Sequence, residues 1–181
     1  MAWKLKKTVV LVGMMGAGKT AVGRAMATKL DVPFRDSDAE IVQAANMSIA
    51  EIFARYEEPF FRAKEAQVIA RLLEAEPGVL STGGGAYLRD DNRALITRAG
   101  VAVLLDAELD LLWDRVRHKD TRPLLRTPDP YATLRDIYEA RAPIYGLADL
   151  AVPASDALSI EEMADRVMEA LLSRPDVLTK D

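Results

Sequence analysis

The sequence predicts an α/β domain in which helices cover both faces of a parallel sheet. Three features point there: short apolar runs alternate with longer stretches of helical periodicity, the first run ends in a glycine-rich loop, and a helix follows that loop directly. The chain has 181 residues, half of them apolar, enough for one domain with a real core. No repeat, low-complexity tract or linker divides it, so residues 1–181 are expected to form a single unit.

In chain order, the run TVVLV gives a strand at 8–12, and further strands are expected at 33–36, 79–81, 101–106 and 150–153. Helices are expected at 19–30, 39–45, 48–56, 58–75, 91–99, 108–117, 131–142 and 159–173. Two of these open on a Ser-x-x-Glu box, Ser48 with Glu51 and Ser159 with Glu162, in which hydroxyl and carboxylate satisfy each other's free backbone donors. Residues 118–130, HKDTRPLLRTPDP, form the one long irregular segment, rich in charge and proline. Residues 1–6 and 174–181 are expected to be tails, the C-terminal one frayed.

Composition removes several classes of function. A net charge of −4 gives no basic footprint for nucleic acid, so the expected partners are small molecules. There is no cysteine, and His118 is the single histidine, which excludes disulfides, Cys or His zinc clusters and, in practice, a Ser/His/Asp triad. Any metal should be a hard cation on oxygen ligands. The opening MAWKLKK leads into a short strand-like run rather than a leader core, and no run approaches the roughly 20 apolar residues of a membrane span. The expectation is a cytoplasmic protein with no membrane partner.

The loop Gly13-Met-Met-Gly-Ala-Gly-Lys-Thr20 fits G-x-x-x-x-G-K-[ST] between a strand and a helix, the context that a phosphate-binding P-loop requires. Backbone N–H groups of residues 14 to 20 would face the phosphates, the helix N-terminus adds partial positive charge, and the glycines admit close approach. Gly16, Ala17, Gly18, Lys19, Thr20 and Ala21 are the expected ATP contacts. Lys19 would bridge the outer phosphates and Thr20 would ligate Mg²⁺. A GTP switch is excluded: its base-reading motif matches only at Thr28-Lys29-Leu30-Asp31, on the helix of the loop itself, and no D-x-x-G exists. A motor would need more chain. A small phosphotransferase remains.

Its acceptor site should lie along the same sheet edge. The second strand ends in Asp36-Ser37-Asp38, whose two carboxylates share one side of an extended chain. One would serve the metal and the other take a hydroxyl proton, while a helix N-cap accounts for either one of them alone. Arg62 and Glu65 are spaced as helix neighbours, either as a surface ion pair or as a guanidinium held ready for a carboxylate. After the third strand, Gly83-Gly84-Gly85 carries an entropic cost that close backbone approach to a ligand would justify. Arg115, Arg117, Arg122 and Arg126 surround the irregular segment, and Arg141 follows in RAPIY. An arginine closing over a γ-phosphate makes 118–130 a lid that also excludes water.

In this order the stretches GMMGAGKTAVGR (13–24), FRDSD (34–38), SIAEIF (48–53), FFRAKE (60–65), STGGGA (81–86), TRPLL (121–125) and RAPIY (141–145) resemble shikimate kinase over nearly the whole chain. The resemblance implies a P-loop fold of the nucleoside monophosphate kinase type, with a five-stranded parallel sheet in the order 2-3-1-4-5. It implies Mg²⁺- and ATP-dependent phosphorylation of the 3-hydroxyl of shikimate by a monomeric enzyme of aromatic amino acid synthesis. It places Asp38, Arg62, Gly83, Gly84, Gly85 and Arg141 on shikimate, with Asp38 as base, and makes Lys19 and Arg122 catalytic. It sets Arg115 and Arg122 on ATP, and Thr20 and Asp36 on the metal. Asn46 and Glu57 stand where the family usually has glycine; Asn tolerates the left-handed backbone and Glu does so less easily. The rival expectations are another small-molecule kinase, such as a gluconate kinase, and a non-catalytic nucleotide-binding protein.

Overall fold

The computed structural model describes residues 2–118 and 125–181. Strand β1 (Trp3–Leu5) leads into β2 (Thr8–Val12), the phosphate loop and α1 (Lys19–Leu30). Next come β3 (Phe34–Asp36), α2 (Ser37–Ala45), α3 (Ile49–Arg55), α4 (Glu58–Glu74) and β4 (Val79–Ser81). A 3₁₀ turn at Ala86–Leu88 precedes α5 (Asp90–Ala99), β5 (Gly100–Asp106) and α6 (Leu109–Val116). The chain closes with α7 (Pro130–Tyr145), β6 (Leu150–Pro153), α8 (Ile160–Leu171) and β7 (Leu178–Lys180).

Five strands form one parallel sheet in the order β3-β4-β2-β5-β6, which is the expected 2-3-1-4-5 once β1 is set aside. Strand β2 lies at its centre, and Val9, Val10, Leu11 and Val12 have no exposed surface, as a parallel strand covered by helices on both faces requires. Sheet order and register together position the site. Leu11 pairs with Ser81 and Ser81 with Asp36, so three strands end at one level. The loops that follow them, the phosphate loop, Ser37-Asp38 and Thr82 to Gly85, therefore emerge side by side at the carboxyl edge of the sheet.

Several element boundaries depart from the sequence reading. Helix α2 begins at Ser37 rather than at 39, because Asp36 itself is the N-cap: its Oδ1 accepts from the N–H groups of Asp38 (2.9 Å) and Ala39 (3.2 Å). Helix α7 begins at Pro130, capped by Asp129. It also continues past residue 142 to Tyr145, since Pro143 sits in the last turn and removes only one intrahelical donor. The 3₁₀ turn carries no periodicity long enough to be read.

The expectation of terminal tails is corrected. β1 and β7 pair antiparallel, Trp3 opposite Lys180, and Val177 and Leu178 are fully buried. The stretch DVLTK is too short and too mixed to show a strand pattern, and burial of its two aliphatic side chains is what orders it. Asn46 adopts the left-handed conformation (φ 52°) that ends α2, whereas Glu57 is extended (φ −82°) and carries no strain. Among the described residues no helix is long and apolar enough to cross a membrane.

Candidate active site

A cavity of about 710 Å³ runs along the sheet edge, from the phosphate loop to Asp38, Gly83 and Gly84 at one end and to Arg115, Asp156 and Met163 at the other. Its floor is the loop itself. Gly16 and Gly18 hold φ of 83° and 97°, a region closed to most side chains, and a Cβ on Gly16 would lie 2.8 Å from Val116. The loop can take this shape, and α6 can pack beneath it, only with glycine there. Gly16, Ala17, Gly18, Lys19, Thr20 and Ala21 all line the cavity. Lys19 Nζ donates to the carbonyls of Gly13 (2.5 Å) and Met14 (3.1 Å), which keeps its ammonium over the loop.

The two carboxylates that the sequence left interchangeable have separate tasks. Asp36 spends Oδ1 on the cap of α2 and turns Oδ2 toward Thr20, whose hydroxyl donates to it at 3.4 Å. The Ser81 hydroxyl lies 3.4 Å from the same Thr20 oxygen. Three side-chain oxygens, from the first turn of α1 and the ends of β3 and β4, thus converge beside the phosphate loop. Asp38, one residue into the helix, points into the cavity with both oxygens uncommitted to the cap. Burial raises its pKa above the ordinary 3.8, the neighbouring Asp36 charge adds to that, and Lys19 and Arg62 act against it. A carboxylate so placed binds a proton more readily than one in water.

The three glycines each admit one functional side chain. A Cβ on Gly83 would lie 2.9 Å from Asp38 Oδ1, on Gly84 3.0 Å from Arg141 Nη1, and on Gly85 2.6 Å from Arg62 Cζ. Asp38, Arg141 and Arg62, which come from α2, α7 and α4, are brought against one backbone ribbon that has no side chains of its own. Arg62, Gly85 and Arg141 do not line the cavity and adjoin it through this ribbon. The ribbon is tied down at both sides: Gly83 N–H donates to the Ser37 hydroxyl at 3.3 Å, and the Tyr145 hydroxyl donates to the Gly84 carbonyl.

Arg62 is an anchored cation rather than a surface one. Its Nη1 donates to Glu65 Oε1 at 2.9 Å and its Nε to Glu58 Oε1 at 3.3 Å. Burial works against the charge of Arg62, but these two carboxylates more than offset it and keep its pKa above the ordinary value. Glu65 is 1% exposed, and burial outweighs Arg62 in raising its pKa. Arg115, expected against adenine, lines the far end of the cavity, donating to the Gly16 carbonyl at 2.9 Å and to Asp156 at 3.3 Å. Arg122 and residues 119–124 of the expected lid lie outside the described residues. Arg117 is exposed and does not line the cavity.

Sequence reading missed Ser37, Ser81, Asp156 and Tyr145. Ser37, Ser81 and Tyr145 stood inside quoted motifs, but a hydroxyl gives no sign of its partner until the chain is folded. Asp156 had no signal at all.

The chain matches the family model for shikimate kinase over residues 15–172. The shikimate kinase of Ruegeria pomeroyi is 66% identical over 174 residues, covering 96% of this chain and 89% of that protein. The shikimate kinase of Cereibacter sphaeroides is 64% identical over 178 residues, covering 98% and 89%. Among solved structures, shikimate kinase from Acinetobacter baumannii in complex with shikimate superposes with a TM-score of 0.86 at 34% identity, covering 92% of this chain and 93% of that one.

Proposed function

The chain belongs to the shikimate kinase family and is a phosphotransferase, and from that premise we propose which residues carry the γ-phosphoryl group of ATP to the 3-hydroxyl of shikimate. The observation that supports the assignment is the glycine ribbon, against which a base and two arginines from three helices converge. Two guanidiniums and one carboxylate around a side-chain-free surface suit a small hydroxylated carboxylic acid. A gluconate kinase would need no such ribbon, and a protein that only binds nucleotide would need no buried base.

ATP lies along the cavity with its phosphates in the loop. Amides of residues 16 to 21 hold them, Lys19 neutralises charge that develops on the transferring group, and Arg115 packs against the base. Arg62 and Arg141 grip the shikimate carboxylate and set the ring so that one hydroxyl faces Asp38. Asp38 hydrogen-bonds that hydroxyl, directs its lone pair in line with the γ-phosphorus, and accepts its proton as the new P–O bond forms and the bond to ADP breaks. The products are shikimate 3-phosphate and ADP. Arg122, assigned from sequence, closes over the γ-phosphate.

Thr20 Oγ1, directly, and Asp36 Oδ2, through water, would hold Mg²⁺: both are oxygen donors at the phosphate end, the chemistry that a hard cation takes. Bound there, Mg²⁺ would supply charge neutralisation to the transferring phosphate.

The test is ADP formation by the purified protein with Mg·ATP and shikimate, quinate, gluconate or no acceptor. Turnover confined to shikimate supports the assignment, and turnover on gluconate alone overturns it.

A further inference from the structure

Ser37 stands between Asp36 and Asp38, yet the transfer just described gives it no task. It has no exposed surface, and its hydroxyl accepts the N–H of Gly83 at 3.3 Å. Sheet register explains the bond. Val79 N–H donates to the Pro33 carbonyl at 2.9 Å, and Phe34, Arg35 and Asp36 pair in turn with Val79, Leu80 and Ser81. The bonds of a parallel ladder are evenly spaced, so after Val79 and Ser81 the next donor is Gly83, and its ladder acceptor would be the Ser37 carbonyl. That carbonyl is lost to the sheet, because Ser37 opens α2 and its carbonyl turns along the helix axis. The hydroxyl of the same residue stands in for it, and the pairing gains one bond beyond the end of β3.

We propose that Ser37 is a positioning residue for the base: its hydroxyl fixes the distance between the Asp38 carboxylate and the glycine ribbon along which the acceptor lies. Asp38 follows Ser37 directly, and its N–H is held by Asp36 Oδ1 at 2.9 Å. Across the gap, a Cβ on Gly83 would lie 2.9 Å from Asp38 Oδ1 and 3.2 Å from Oδ2, so carboxylate and ribbon meet at the residue whose N–H the serine holds. One residue earlier the ribbon is anchored to β2, where the Thr82 hydroxyl donates to the Leu11 carbonyl at 2.9 Å. Ser37 thus ties the segment that carries the base to a ribbon already fixed on the central strand. Without its hydroxyl the β3–β4 pairing ends at Asp36 and Ser81, and the first turn of α2 is free to draw the carboxylate away from the acceptor. In-line transfer is sensitive to small displacements of that kind.

This inference rests on the assignment of Asp38 as base, and a double-mutant cycle separates the two. Steady-state constants for shikimate and ATP would be measured for wild type, Ser37→Ala, Asp38→Asn and the double variant. Alanine suits a helix and adds no volume at this buried position, so the fold is kept. The expected result is a kcat about tenfold lower in Ser37→Ala, the upper range of a single hydrogen bond, with the KM for ATP unchanged and the KM for shikimate changed less than kcat. Asp38→Asn lowers kcat further, and adding Ser37→Ala to it has no additional effect on kcat, because the base that Ser37 positions is gone. A wild-type kcat in Ser37→Ala, additive losses in the double variant, or a KM for ATP that rises as much as kcat falls overturns the positioning role. Asp38→Asn with a wild-type kcat overturns the base assignment itself, and the role of Ser37 with it.

Discussion

Glu65 Oε1 accepts a hydrogen bond from Arg62 Nη1 at 2.9 Å, while the other oxygen of the same carboxylate, Oε2, is buried and has no hydrogen-bond partner among the described residues. A buried acceptor without a donor is costly, and here the cost is tolerated beside a proposed ligand site. Glu65→Ala frees Arg62 from its main anchor. The KM for shikimate is expected to rise about tenfold or more, the loss of a charge-assisted bond, with the KM for ATP unchanged. Glu65→Gln keeps one neutral acceptor and should fall between. Equal constants for Glu65→Ala and wild type would mean that Arg62 needs no support.

Gly85→Ala places a methyl inside the space of the Arg62 guanidinium. Shikimate affinity, measured by calorimetry, is expected to fall while affinity for ADP stays as in wild type. Gly83→Ala pushes instead on Asp38 Oδ1, 2.9 Å away, and should lower kcat more than it raises KM. If the two variants gave the same split between kcat and KM, the pairing of each glycine with its own side chain would be wrong.

Asp38→Asn should lower kcat by about 10²–10⁴, the usual worth of a positioned general base, with ATP binding near normal. It should also change stability in a pH-dependent way. The folded-state pKa of Asp38 is raised above 3.8 by burial and by Asp36, so ionising it costs the folded protein stability. Below the unfolded value both states hold the proton and the cost is absent; it grows as pH rises through the window up to the folded value. Measured without nucleotide or metal, the Asn variant should therefore melt higher than wild type at pH 7 and alike at the acid end. A lower melting temperature at pH 7 would show that the carboxylate is stabilising where it sits.

Arg115 joins the phosphate loop to Asp156, a bridge between Gly16 and the loop after β6. Asp156→Ala leaves the bond to Gly16 and frees the outer nitrogen. The KM for ATP should rise severalfold, within the roughly 0.2–1 kcal/mol of a partly exposed pair, and shikimate binding should not change. A shift confined to shikimate would place Asp156 in another role.

Leu178→Ala tests the pairing of the two chain ends. Leu178 is fully buried opposite Leu5, and its truncation is expected to cost about 2–5 kcal/mol. At about 2–4 °C per kcal/mol for a domain of this size, the melting temperature should drop by roughly 4–20 °C with kcat unchanged. No change would mean that β1 and β7 are ornaments of the fold.

The sequence by itself determined the parallel α/β class, the phosphate loop, both Ser-x-x-Glu helix starts and the residues gathered at the sheet edge. These are local signals: an apolar run, a glycine that alone tolerates a left-handed backbone, a hydroxyl three residues from a carboxylate. It could not decide which of Asp36 and Asp38 caps the helix, because two carboxylates two residues apart are equivalent until Oδ1 of one meets the amides of the next turn. Nor could it show that each glycine of the ribbon faces a side chain from a different helix, or that Val177 and Leu178 order a tail. Those facts depend on contacts between residues far apart in the chain, and only packing, which excludes water and leaves each buried donor one acceptor within reach, selects them.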